Sequence, residues 1–406
     1  MIADVLEIRL GGRRIGALTA LGGDRSILSF DNDYIADPDR PVLSLSFQDE
    51  AGGLILDHDP VQTRVQPFFS NLLPEGGLRD YLARRAGVKP VREYALLQAL
   101  GGDLPGAVTL TPAGAARADE DIDEPDEDRA VGEEAMRFSL AGVQLKFSAK
   151  VEGQARVTVP AGGAGGDWIV KLPSALWVDL AENEFSMMAL ARRVGLDVPE
   201  TRLVPVETIE GLPNGVVRAD AQAYMVRRFD RAADGARLHI EDFAQVFGVY
   251  PEEKYRRARY RSIAQVLWRE IGEAAVSEFI GRLIFNTLIG NADMHLKNWS
   301  LLYRDGRTPS LAPGYDFVST TSYMADETAA LRYETTNRTA AFDVDELNRL
   351  AARAGVPQRL AQKTAGRTVA AFREVWAADA VHLPLTVGVR TEIDRLLGAL
   401  PIARLA

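Results

Sequence analysis

The segment Asn286 to Asn298, NTLIGNADMHLKN, constrains the rest of the chain more than any other. It holds Asp293, His295, Lys297 and Asn298 within six positions. An apolar, helix-like run, Phe279 to Ile289, leads into it, and a second apolar run, Trp299 to Tyr303, leads out. Polar, chemically capable side chains crowded between two apolar elements mark a loop that a rigid scaffold presents at a site. These residue types fit the catalytic loop of a phosphoryl-transfer enzyme.

That reading makes demands on the remaining sequence. A backbone loop must cradle phosphates, and a Lys oriented by a carboxylate must hold them. A carboxylate must accept the hydroxyl proton, and an amide oxygen and a second carboxylate must hold Mg²⁺, a hard cation that takes oxygen ligands. Four features supply these parts in order. They are the small-residue turn SLAGVQLK (Ser139 to Lys146), Lys171 within the strand-like WIVKLP with Glu184 on the helix that follows, Asp293 with Asn298 five positions later, and Asp316 in YDF, 18 residues beyond Asn298. In protein kinases the catalytic Asp and the metal-binding Asn have this separation, and the metal Asp sits in a D-F dipeptide.

Taken singly, each part has a plainer reading. SLAGVQLK lacks the GxxxxGK[ST] of a P-loop and is an ordinary turn. Glu184 reads as a solvated helix face, Asp293 and Asn298 as turn formers, and Asp316 as a cap. Lys171 is less ordinary, because a Lys buried in a strand is costly without a partner. His295 stands where many kinases carry Lys or Arg, and packing or orientation suits it better than acid–base work. Lys297 reads either as a cation for the transferring phosphate or as an exposed surface charge. Order and spacing, not any single residue, carry the argument.

A chain of 406 residues is too long for one ordinary core, so two or three lobes are expected. With 47% hydrophobic and 26% charged residues it has the composition of a globular protein. No cysteine is present, which excludes disulfides and Cys-based zinc sites. Four scattered His give no structural metal site. The first residues lack the apolar core of a signal peptide, and no apolar run approaches the roughly 20 residues of a membrane span. A cytoplasmic protein of bacterial type, with no membrane partner, is the expectation. Asp119 to Glu134 alone carries −9 of the net −10, leaving the folded body almost neutral, so broad attraction to nucleic acid is not indicated. One basic cluster stands out, Lys254 to Arg261 (KYRRARYR), which reads as a solvated helix face or as a contact for a partner.

In chain order, residues 1–110 show short alternating runs (VLEIRL, RIGALTA, RSILSF, PVLSLSF, GLILD), expected as antiparallel hairpins. Helical patterns follow at Leu78 to Arg85 and in REYALLQALGGD, and GAVTL reads as a strand, giving an α+β lobe. Residues 111–135 are rich in Ala, Gly, Asp and Glu and form a linker or mobile loop. Residues 136–238 read as a mainly antiparallel sheet with one helix, capped by Asp179 and closed by Gly195. Residues 239–406 read as helical. The expected fold is α+β: a protein-kinase-like two-lobe arrangement, sheet lobe before helical lobe, with an extra amino-terminal α+β subdomain.

NADMHLKN, SLAGVQLK, WIVKLP, MVRRFDR, EDFAQVFG, PFFSNLLPEG and YDF together resemble the HipA family, the serine/threonine kinase toxins of type II toxin–antitoxin modules. The resemblance spans nearly the whole chain. It implies ATP and Mg²⁺ as cofactors. By resemblance Ala141, Gly142, Val143, Gln144, Leu145 and Lys146 match the ATP-contacting loop, and Lys171 the phosphate-binding Lys. Arg227, Arg228 and Phe229 match the segment beside adenine, and Asp293 the catalytic base. His295, Leu296, Lys297, Asn298, Tyr315 and Asp316 match nucleotide and Mg²⁺ contacts, with Asn298 and Asp316 on the metal. Ser139 matches the serine that family members autophosphorylate, which ejects the loop and silences the kinase. The chain departs at Arg227, where the family carries an acidic residue, and in its long acidic tract before Ser139. The implied substrate is an aminoacyl-tRNA synthetase, notably the glutamyl enzyme, whose phosphorylation stops translation and produces growth arrest or persistence. The implied partner is a small helix-turn-helix antitoxin of HipB type that binds operator DNA. Two other readings stand beside this one: a small-molecule kinase on a related fold, and a catalytically idle co-repressor that acts with an antitoxin on DNA.

Overall fold

The computed structural model describes residues 4–114, 146–152, 156–158, 166–174, 176–212, 221–324 and 328–405. Ser139, Ala141, Gly142, Val143, Gln144 and Leu145 lie outside the described residues, as does the acidic segment 119–134.

The amino-terminal part is built on an antiparallel sheet of β1 (Val5–Leu10), β2 (Arg13–Leu21), β3 (Arg25–Phe30), β4 (Val61–Gln62) and β5 (Val108–Pro112), in the order β4-β3-β2-β1-β5. In β1 alternate residues Leu6, Ile8 and Leu10 are buried, the period of a strand with one face on a core. Four short helices, α1 (Asn32–Ala36), α2 (Pro67–Leu72), α3 (Gly76–Arg85) and α4 (Glu93–Leu100), surround it, and Phe68, Phe69, Tyr94 and Leu97 fill the core. PVLSLSF and GLILD, expected as strands, are not: Leu45–Phe47 is a turn of 3₁₀ helix, and Leu54 makes only an isolated bridge to Gln48. The backbone around PVLSLSF pairs elsewhere, Val42 N–H donating to Gly306 O and Leu45 N–H to the Glu241 carboxylate. Apolar alternation alone cannot distinguish such a docking segment from a strand.

The second part is a six-stranded sheet, ordered β10-β7-β6-β8-β11-β9, of β6 (Lys146–Glu152), β7 (Arg156–Thr158), β8 (Trp168–Lys171), β9 (Thr201–Pro205), β10 (Ile209–Glu210) and β11 (Gln222–Arg227). Every pairing is antiparallel except β10 with β7. Helix α5 (Leu180–Val194) lies against it and buries Met187, Met188 and Leu190. Asp179 occupies its N-cap position but does not cap with its side chain: its backbone is left-handed, φ 55°. Gly195 ends the helix as expected, at φ 93°.

The third part is mostly helical: α6 (Phe243–Val246), α7 (Tyr260–Glu270), α8 (Glu273–Leu288), α9 (Val344–Ala354), α10 (Gln358–Asp379) and α11 (Val387–Ala399). It also carries a small antiparallel sheet that the sequence did not announce, with β13 (Ser300–Tyr303) between β12 (His239–Asp242) and β14 (Pro309–Leu311). Helix α8 is buried on all sides from Phe279 to Leu288. Its Arg282 is tolerated there because Glu278 (2.7 Å) and the carbonyls of Ala312 (2.7 Å) and Asp197 (3.2 Å) receive its donors. Among the described residues no helix is long and apolar enough to cross a membrane.

Buried polar contacts join the amino-terminal part to the rest. The Glu241 carboxylate accepts hydrogen bonds from Ser44 Oγ (2.5 Å), Leu45 N (3.1 Å) and Tyr303 Oη (2.5 Å). Asn71 Nδ2 donates to Val249 O (2.7 Å), Gln245 Nε2 to Phe68 O (2.9 Å), and Gly106 N to Asp230 Oδ2 (2.9 Å).

Candidate active site

Lys171 closes β8, in register with Lys146 on one side and Tyr224 on the other. Its ammonium lies 2.7 Å from Glu184 Oε1 and 2.5 Å from Asp316 Oδ1. Residues from the sheet, from helix α5 and from the segment after β14 therefore meet on one cation. Glu184 is 2% exposed at its side chain, and burial pushes its pKa up to about 7 against the pull of Lys171. Burial acts on Lys171 in the opposite sense, but the two carboxylates win and raise its pKa. Asp316 loses hydration as well, yet the charge and hydrogen bond of Lys171 hold its carboxyl well below the usual range.

The other Asp316 oxygen, Oδ2, accepts from Asn298 Nδ2 at 2.9 Å. Asp316 has a left-handed backbone, φ 63°, uncommon for a residue with a side chain. It is held by Asn291 Nδ2, which donates to its carbonyl (3.1 Å), and by Phe317, which is fully buried against Phe285. Asn183 of α5 exchanges hydrogen bonds with the Ser319 backbone, so the helix that carries Glu184 also grips the segment after Asp316.

Asp293 is exposed at the turn after α8. Its Oδ1 accepts from Tyr255 Oη at 2.8 Å, and its N–H donates to Asn291 Oδ1 at 3.1 Å. Desolvation raises its pKa; the Tyr255 hydrogen bond opposes this and the Asp316 charge adds to it. His295 is 8% exposed and packs edge-on against Tyr255, with ring centroids 5.1 Å apart. Burial first, then Lys254, pull its pKa down to about 3, so the ring is neutral, and its Nδ1 has no hydrogen-bond partner. Leu296 is fully buried in the core. Lys297 Nζ lies 2.6 Å from Glu75 Oε1, while its carbonyl accepts from Tyr315 Oη at 2.8 Å. Tyr315 in turn meets the Phe229 ring at 5.6 Å. Arg228 is committed to Asp230 and Ser148, and Arg227 is exposed beside Glu200.

Lys171, Glu184, Asn298 and Asp316 are thus in direct contact, with Asp293, His295, Lys297, Phe229 and Tyr315 around them. Sequence reasoning missed Glu75 and Tyr255. Tyr255 lies in KYRRARYR, which is not a helix face: α7 begins only at Tyr260. Lys254 pairs with Glu75, Arg257 with Glu253, and Arg259 and Arg261 with Glu334. Glu75 falls within the PFFSNLLPEG motif, but its contact with Lys254 and Lys297 is not written in the local sequence, because those partners lie far along the chain.

The donor set discriminates between metals. Among the described residues no group of three or more His, Cys, Asp or Glu could hold an ion. One carboxylate and one amide, with a Lys ammonium already seated on that carboxylate, fit a hard cation that takes most of its oxygens from phosphate and water, as Mg²⁺ does.

Comparison with known families matches residues 6–111 to the HipA N-terminal domain and residues 138–376 to the HipA-like C-terminal domain. The putative kinase Y4dM of Sinorhizobium fredii is 52% identical over 396 residues, covering 96% of this chain and 95% of its own. The serine/threonine-protein kinase toxin HipA of Shewanella oneidensis is 28% identical over 354 residues, 78% of this chain and 76% of the toxin. Among solved structures, a chain of the Shewanella oneidensis complex of HipA, HipB and operator DNA has the same fold. Its TM-score is 0.74 at 23% identity, covering 98% of this chain and 96% of that one.

Proposed function

The chain belongs to the HipA family, and from that premise we propose that it is an ATP- and Mg²⁺-dependent protein serine/threonine kinase, the toxin of a toxin–antitoxin module. The observation that carries this reading is the Lys171 ammonium bridging Glu184 and Asp316, with Asn298 on the second Asp316 oxygen. Lys171 holds phosphates, Glu184 orients it, and Asn298 and Asp316 hold the metal. Bound there, Mg²⁺ supplies neutralising charge to the phosphates. Asp293 accepts the proton of the acceptor hydroxyl as its oxygen attacks phosphorus and ADP leaves. The two carboxylates are tuned apart for this division of labour, Asp316 kept anionic and Asp293 made more basic. A neutral His295 packs against Tyr255 and contributes orientation rather than charge.

The finer parts of the proposal rest on the family resemblance. The substrate is an aminoacyl-tRNA synthetase of the glutamyl type, and its phosphorylation arrests growth. Autophosphorylation at Ser139 silences the enzyme. A helix-turn-helix antitoxin is the partner, and the chain reaches operator DNA through it; the Shewanella oneidensis HipA is solved in a complex with HipB and operator DNA. Ion pairing of Lys254, Arg257, Arg259 and Arg261 leaves little support for KYRRARYR as an independent nucleic-acid contact.

The test is incubation of the chain with radiolabelled ATP, followed by mass spectrometry. Wild type is expected to label itself at Ser139, and Asp293→Asn to lose at least about 100-fold in rate. Equal labelling of the two proteins would remove Asp293 as the base.

A further inference from the structure

Glu75 stands at the N-cap of α3, yet its carboxylate makes no hydrogen bond to the free N–H groups of that helix. It reaches instead into the catalytic loop. Oε2 takes Lys254 Nζ at 2.7 Å and Oε1 takes Lys297 Nζ at 2.6 Å, so one carboxylate is shared by two ammonium groups. Lys297 also donates to Asn71 O at 3.1 Å, at the end of α2. Neither lysine is free in solvent, with side-chain exposures of 17% for Lys254 and 15% for Lys297. Both lysines hold Glu75 ionised, its pKa down at about 2 in spite of burial. The triad therefore keeps one surplus positive charge.

The position of that charge gives the triad a chemical meaning. Lys297 lies two positions after His295 and directly before Asn298, and its carbonyl is tied to Tyr315, the neighbour of Asp316. Its charge is felt by Lys146 and His295, and that of Lys254 by Asp293. The next residue, Asn298, donates to Asp316, on which Lys171 is seated, so the loop that carries this cation adjoins the pair formed by Lys171 and Asp316. Two ammonium groups do not settle side by side without an anion between them; among the described residues the carboxylate in ion-pair contact with both comes from the amino-terminal subdomain, while Asp242 and Asp293 of the catalytic lobe feel the charges of Lys297 and Lys254.

We propose that Glu75 is a positioning residue for phosphoryl transfer, holding Lys297 where the transferring phosphate carries its charge, with Lys254 fixing the carboxylate from the other side. The inference rests on the kinase reading above and makes the amino-terminal subdomain part of the active site. A misplaced Lys297 loses transition-state stabilisation but keeps its attraction for nucleotide. Neutralising Glu75 adds a positive charge beside the phosphates, so nucleotide binding does not weaken.

The experiment uses the full chain as wild type, Glu75→Gln, Glu75→Asp, Lys297→Met and the Glu75→Gln/Lys297→Met double variant. Autophosphorylation kinetics are measured together with calorimetric binding of a non-hydrolysable ATP analogue and thermal melting. Glu75→Gln is expected to lower kcat about 10- to 100-fold, with analogue affinity unchanged or tighter. Glu75→Asp recovers part of the loss. The double variant is no slower than Lys297→Met alone, because both changes remove one interaction. Losses that multiply in the double variant, weakened analogue binding with kcat intact, or no recovery in Glu75→Asp would overturn the assignment. Should Glu75→Gln melt far below wild type, the Asp variant and the cycle in the Asp background decide by the same criteria. A wild-type chain without Asp293-dependent labelling is a separate result, which removes the kinase reading itself.

Discussion

A carboxylate's surroundings decide its charge, and this molecule holds acids of opposite character. Asp316 is kept ionised by Lys171, whereas Glu241, with no cation among its hydrogen-bond partners, is pushed up to about 7 by burial. Hydrogen bonds from Ser44, Tyr303 and Leu45 offset part of that shift. A raised folded-state pKa means that the folded chain binds more protons than the unfolded chain between about pH 4.5 and 7. Stability from this group is fully present below that interval and is lost as pH rises through it, by on the order of 3 kcal/mol. His239 works in the opposite direction: burial lowers its pKa to about 4, so its contribution is lost as pH falls from 6.5. Glu241→Gln should therefore flatten the alkaline limb of the stability profile and leave the acid limb in place. Urea midpoints measured from pH 5 to 8 test this; a variant curve parallel to wild type contradicts it.

At the scale of elements, the end of α8 decides whether the catalytic loop and the segment after Asp316 can meet. Gly290 follows that helix with φ 68°, and its carbonyl accepts the N–H groups of Thr320 and Thr321, each at 3.1 Å. A methyl group there would come within 2.1 Å of Thr321 Oγ1 and 2.7 Å of Leu396 Cδ1. Gly290→Ala combines a left-handed backbone penalty with overpacking, so a loss of roughly 2–4 kcal/mol is expected. Labelling activity should fall as well, since Asp316 lies on the displaced segment. Chemical denaturation together with the ATP-labelling assay checks both, and wild-type values in the two would refute the account. Helices α5 and α8 and the strands that carry Lys171 and Tyr224 were legible in the sequence, because their apolar patterning repeats over many residues. PVLSLSF misled for a physical reason: its polar backbone is satisfied by Gly306 and Glu241, more than 190 residues away, which local alternation cannot encode. KYRRARYR misled likewise, four of its five charges pairing with Glu75, Glu253 and Glu334.

Across the whole molecule, the amino-terminal part is joined to the kinase body through buried hydrogen bonds to Glu241, Asn71 and Gln245 and through the Glu75 ion pairs. Removing either side would strand these polar groups, so the two are expected to unfold together. Calorimetry should show a single transition for the full chain; a separate early peak for residues 1–110 would contradict this. The Lys171, Glu184, Asp293, Asn298 and Asp316 set was legible because its order along the chain is that of a kinase. Glu75 and Tyr255 were not, because their place beside the catalytic loop exists only once the parts have docked. The distances along the chain have a consequence for the cell that makes this protein. Lys171 meets Asp316 across 145 residues, and Lys297 meets the Asn71 carbonyl across 226. Contacts of such span form late, and the helices α10 and α11 that pack on α8 are translated after every residue of the candidate site. A ribosome that has not yet passed these helices therefore carries a chain whose candidate site is not assembled.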